Sequence, residues 1–309
     1  MPKPKQPNNN DDDSLSSSST CNNTVAIQQL RFSVAIDVND GQESGCNNHE
    51  HHLQHSIFTT DNLSYQDSTL SQCSKMIILK ELIRTENLYL NYFEILKEKI
   101  IQSLSRCNIL TPEEVEKTFC LSQLNILFKV NTELLNQFKQ VESLLMTNQQ
   151  SSPTLMPTNG SSPRARNSLG QTFLRLTPFL KNYVQYSHML EPCLIQFRNR
   201  KLKDKSFKAI VKKLQRFCTK LLFDALREDD SCEKCNEFEI IQTMKMPLRR
   251  ILYYRDVLTQ LLKLTPITND EYSPLSESLK LIEIVSQSFE QQITELDHKD
   301  KFYEINKKV

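Results

Sequence analysis

Apolar residues are unevenly spread along this chain. Before Ser74 they are sparse among Asn, Ser, Asp and Gln; from Ser74 onward Leu, Ile, Phe and Val return every three or four positions. That spacing predicts amphipathic helices. The first is expected from Ser74 to Leu104. On a helical projection Leu79, Ile83, Glu86, Leu90 and Phe93 share one face, and Ile77, Glu81, Arg84, Leu88, Tyr92 and Ile95 the opposite one. A helix apolar on two sides is either sandwiched in a bundle or shows one stripe to a partner. Glu81, in the middle of the second stripe, favours an exposed contact surface.

Thr111-Pro112-Glu113-Glu114 reads as an N-cap, a proline at the first helical position and acidic residues over the positive helix end. One helix is expected from there, carrying Val115, Phe119, Leu124, Leu127, Phe128, Leu134, Leu135 and Phe138, and fading near Met146. The polar, proline-containing stretch at 147–170 predicts a flexible loop inserted between helices, because the periodicity resumes beyond it. After Gly170 the helical pattern runs to Phe197. Asp204 to Arg227 gives a basic-faced amphipathic helix, and Phe238 to Thr265 another. Pro247 is expected to break or kink that helix, restarting it at Leu248, and Pro266 to end it. The last helix spans Pro274 to Asn306. The fold class is therefore all-α, an elongated bundle of about six main helices over 73–306.

Residues 1–72 are too polar to offset the entropy of ordering and read as a disordered low-complexity tail. Within it, Thr24 to Val38 is the one apolar stretch, either a docking strand or a less polar piece of loose chain. His49, His51, His52 and His55 include a pair at i, i+4 spacing. No apolar face fixes their geometry, so they read as a His-rich tract and not a metal site.

The 38 basic and 37 acidic side chains nearly cancel, which disfavours nucleic acid as a partner. Only four glycines occur, at 41, 45, 160 and 170, so phosphate-cradling loops are missing and no cofactor is expected. Nine cysteines are scattered without a framework, and no signal peptide precedes them. Cys232 and Cys235 form the only C-x-x-C pair and read as two free thiols. No apolar run reaches the ~18 residues of a membrane span. The expected compartment is the cytosol, with recruitment to membrane or cytoskeleton left to partners. No paired nucleophile and base stands out, so the chain is not expected to make or break bonds itself.

Two segments resemble the signature regions of the Dbl-homology (DH) family of exchange factors. "LKELIRTENLYLNYFEIL" is similar to the family's opening helix, with a Glu-Leu pair, then Thr-Glu, then Tyr three residues on. "MPLRRILYYRDVLTQLLKLT" resembles its Pro-x-Gln-Arg motif, Leu-rich helix and closing Lys-x-Thr. "LFKVNTELLNQF" and "FLRLTPFLKNYVQYSHML" resemble the stretches between, in the right order. The resemblance implies a helical bundle that binds the switch regions of a Rho-family GTPase of the Rac or Rho type and promotes GDP release. By the same resemblance Glu81 is the carboxylate that engages switch I, and Arg84, Thr85, Leu88, Arg249, Tyr253 and Glu290 share the contact surface. Glu86 is structural, with Arg250 as its candidate partner.

The chain departs from the family at three positions: Arg249 stands where Gln is usual, Tyr253 where Lys or Arg is usual, and Glu290 at a switch-contacting Asn. Those departures leave a second expectation open, a DH-fold scaffold that binds without exchange. No pleckstrin-homology domain is expected within this sequence.

Overall fold

The computed structural model describes residues 61–148, 168–226 and 238–306, all within the second of two units into which the chain divides, Phe58–Val309. The apolar stretch at 24–38, the His-rich tract, the Cys232/Cys235 pair and most of the 147–170 loop lie outside the described residues. Among those described, every regular element is helical.

Helix α1 runs Asp61–Glu94 and continues through a π-helical segment, Ile95–Ile101, into the short α2, Gln102–Arg106. It begins earlier than the expected Ser74 and reaches into the stretch read as tail. Once nucleated, a helix extends at little cost per residue. Here the Ser71 hydroxyl also donates to the Leu264 carbonyl at 2.6 Å. The π segment adds a residue to the turn and lets the adjacent Ile100 and Ile101 both point inward with Leu96 and Leu104.

The expected single helix after Thr111 is two: α3 (Pro112–Phe119) and α4 (Leu121–Asn148). Thr111 closes a capping box with Glu114, and the backbone N–H of Thr111 holds the Glu114 carboxyl below its usual range. The break falls at Cys120, which sits in the left-handed region with φ 50° and ψ 44°. No glycine or proline marks it. The Glu116 carboxylate accepts from the N–H and hydroxyl of Ser122 at 3.0 and 2.9 Å, which secures the new helix start. The Cys120 side chain is buried, its sulfur 2.7 Å from that of Cys193.

Next come α5 (Leu169–Leu176), a 3₁₀ turn (Thr177–Phe179), α6 (Leu180–Lys203), α7 (Lys205–Leu226), α8 (Ile240–Lys263) and α9 (Tyr272–Asn306). Gly170 lets α5 lie against the turn before α9, where a Cβ would meet the Glu271 carbonyl oxygen and the Pro274 Cβ at 3.0 Å. Asp204 caps α7, accepting from the N–H groups of Ser206 and Phe207 at 2.9 and 3.0 Å.

Pro247 does not interrupt α8, contrary to the expected break at that point. It removes one backbone donor, but its ring is buried, and the packing around it holds the helix in one piece. The Tyr186 hydroxyl donates to the Met244 carbonyl at 2.6 Å, beside the carbonyl that the proline leaves without its usual partner. In the core α8 is enclosed by α1, α6 and α9, and carries the buried Met244, Leu248, Ile251, Tyr254 and Leu258.

Candidate functional site

Helices α1 and α8 run antiparallel. Partners climb one as they descend the other: Ser71 with Leu264, Glu86 with Arg250, Tyr92 with Phe238. Helices α8 and α9 are antiparallel too, through Lys245 with Asp300, Arg249 with Asp297 and Arg255 with Glu290. The two signature segments therefore lie side by side, and the candidate contact residues fall on three neighbouring helices.

The two carboxylates of α1 have opposite surroundings. Glu86 is fully buried. Its Oε2 accepts from Arg250 Nε at 2.8 Å, from the second guanidinium nitrogen at 2.5 Å and from the Tyr254 hydroxyl at 2.7 Å. Burial raises its carboxyl above the usual range, while the Arg250 charge and these hydrogen bonds pull it back down. Arg250 is enclosed by the rings of Tyr89, Tyr253 and Tyr254, with its charged carbon 5.7, 4.5 and 4.9 Å from their centroids. Burial lowers its pKa, but the Glu86 charge and the tyrosine oxygens outweigh that, so it remains a cation.

Glu81 stands on the other face, with its side chain 31 % exposed. Its contacts are one turn away on the same helix, where Arg84 donates to both carboxylate oxygens at 2.8 and 2.7 Å. Such an i, i+3 pair is weak and opens at little cost.

Around Glu81 the candidates sort by exposure. Arg84 is exposed and Leu88 half-buried. Thr85 is buried: its hydroxyl donates to the Leu82 carbonyl at 3.1 Å and hydrogen-bonds Tyr253. Thr85 thus holds the tyrosine from beneath the surface. Tyr253 is half-buried, and burial lifts its phenol above the ordinary value, so at neutral pH it is a neutral group.

Arg249 and Glu290 each already have an ion-pair partner, although Arg249 shares its carboxylate with Lys245. Arg249 donates to both oxygens of Asp297 at 3.2 and 3.1 Å. Glu290, 60 % exposed, accepts from Arg255 at 3.0 Å. Arg255 lies about 200° around α8 from Tyr253. Glu290 therefore reaches away from the Tyr253 side and carries its own counter-charge.

The sequence reading missed the polar groups behind the surface. Asn131 is buried, and its carbonyl oxygen lies 3.0 Å from the hydroxyls of both Tyr183 and Tyr254. It links the Glu86 cluster to α4 and α6. The signal was present, because Asn131 occupies the apolar phase of Leu124, Leu127, Leu134 and Phe138. Lys245 is also fully buried and binds Asp297 and Asp300, the latter paired in addition with Arg198. That network clamps the end of α9 onto α8 and α6. Among the described residues no group of three or more His, Cys, Asp or Glu is placed to hold a metal ion, and no helix is long and apolar enough to cross a membrane.

Residues 78–290 match the family model described as the RhoGEF domain, covering both signature segments. A stretch of 211 residues, 68 % of the chain, is 24 % identical to the myosin-M heavy chain of Dictyostelium discoideum and spans 10 % of that protein's length. The DH domain of FARP2 shares the fold with a TM-score of 0.56 at 17 % identity, over 76 % of this chain and 97 % of that one. The linker-DH/PH domains of p115-RhoGEF give 0.51 at 17 % identity, over 72 % and 58 %. An activated truncation of Vav1 gives 0.51 at 18 %, over 77 % and 51 %.

Proposed function

Since the chain belongs to the RhoGEF domain family, we propose that it binds a Rho-family small GTPase and accelerates release of its GDP. The observation that carries this reading is the pairing of α1 and α8 with Glu81 left at the surface. The fold commits Glu86 and Arg250 to the interior and holds Tyr253 beside Thr85. Glu81, Arg84 and Leu88 then face outward next to α8.

In this mechanism Glu81 displaces switch I and the magnesium site of the GTPase. The chain makes and breaks no covalent bond. It binds the nucleotide-free GTPase more tightly than the GDP-bound form, and by linkage that preference weakens GDP binding in equal measure. Incoming nucleotide then expels the chain.

A second reading has its own support. The cation of Arg249 is held by Asp297, the charge of Glu290 by Arg255, and position 253 offers a neutral phenol. A surface whose charged groups already have partners gains less from a new one, which favours a weak exchange factor or a scaffold that binds without exchange. Release of labelled GDP from a panel of Rho-family GTPases separates the two. The exchange reading expects at least tenfold acceleration on one member of the panel. Binding to a GTPase with no acceleration on any member would establish the scaffold.

A further inference from the structure

Helix α7 carries a charge asymmetry that the exchange site does not use. Its inner face is apolar, with Phe207, Val211, Cys218 and Leu222 buried. Its outer face presents Lys205, Lys208, Lys212, Lys213, Arg216 and Lys220, all exposed. By helical spacing these six lie within one side of the helix and extend for about 22 Å. No acidic residue falls between Lys205 and Lys220.

Several cations on α6 and α8 are paired instead. Arg198 and Arg200 on α6, and Lys245, Arg249, Arg250 and Arg255 on α8, all sit against carboxylates. Among the described residues no carboxylate pairs with any of the six cations on α7. In a chain whose charges cancel to +1, six cations on one face with no carboxylate partner among the described residues are a local excess. Phe217 follows Arg216 and is 52 % exposed, placing an aromatic ring at the flank of the cationic face.

We propose that this face of α7 docks on an anionic phospholipid membrane. A straight row of cations fits a planar sheet of lipid phosphates, and a basic amphipathic helix with an exposed aromatic ring suits the headgroup boundary, where the ring leaves water. Each cation brought to an anionic leaflet contributes about a fivefold gain in binding, so six supply reversible attachment. Helix α7 packs on α6 and the π segment, whereas the proposed exchange surface lies on α1, α8 and α9. The proposal does not rest on the exchange reading.

The test is co-sedimentation of the full chain with phosphatidylcholine vesicles, with and without about a third phosphatidylserine, at low and high salt. The expected result is pelleting only with phosphatidylserine, lost at high salt. K212E/R216E should weaken that binding at least tenfold with an unchanged melting transition. Phe217→Ala should weaken it several-fold at low salt, and Lys139→Glu, a control on α4, should leave it intact. The proposal is overturned if the wild-type chain ignores phosphatidylserine or if K212E/R216E, still folded, binds as well as wild type. Salt-sensitive capture of double-stranded DNA in place of vesicles would overturn it as well. So would vesicle binding that appears only after Glu228, Asp229 and Asp230 are replaced by serine, since that acidic stretch would then be the occupant of the face.

Discussion

Glu86→Ala is expected to destabilise the fold by about 3–5 kcal/mol, the cost of leaving a buried charge without its partner. The carboxylate lies beneath the surface with two guanidinium hydrogen bonds and one from a tyrosine hydroxyl. Removing it leaves Arg250, only 6 % exposed, charged among three aromatic rings. For a domain of this size the loss corresponds to a fall in Tm of roughly 6–20 °C. Thermal and denaturant unfolding both read it. The double change Glu86→Leu with Arg250→Met should recover much of the loss, because an apolar pair of similar volume needs no counter-charge. A Glu86→Ala protein that melts within about 1 kcal/mol of wild type would show that the pair does not hold α1 to α8.

Glu81→Ala is expected to do the opposite: exchange falls while the fold stays intact. Its bond to Arg84 is an exposed i, i+3 pair, worth no more than about 0.5 kcal/mol. Truncation opens no cavity, so the melting transition should barely move. On the GTPase, however, a carboxylate that accepts hydrogen bonds from a partner contributes about 1.5–3 kcal/mol, or roughly ten- to hundredfold in rate. Circular dichroism melting beside GDP-release rates makes the comparison. Loss of activity together with the transition would assign Glu81 to the structure instead.

These two carboxylates, five residues apart, show what the sequence makes legible. Their separation could be read from the two stripes of α1, because periodicity reports which residues share a face. The cap at Thr111 was readable for a similar reason, since a capping box is completed within four residues. The break at Cys120 was not. A left-handed residue without glycine or proline depends on packing against α6, which local pattern does not encode. Pro247 misled in the other direction, because the surrounding core outweighs one missing backbone donor.

The site was harder to read than the fold. Which charges meet across α8 and α9 depends on the antiparallel register between helices some forty residues apart. Neither the Arg249–Asp297 nor the Arg255–Glu290 pair has a local signature. Thr85 is a case of the same kind. The resemblance sets it among the contact residues, and its burial under the approaching α8 has no local signature.

The most direct measurement is the affinity of the chain for one GTPase in its nucleotide-free and GDP-bound forms, by titration calorimetry or by co-elution. Thermodynamic linkage requires a catalyst of exchange to prefer the nucleotide-free form by the factor through which it weakens GDP. The account predicts a nucleotide-free complex bound at least a hundredfold more tightly, about 2.7 kcal/mol, and dispersed by added GDP. Equal affinity for the two forms would contradict it and leave a binding scaffold in its place.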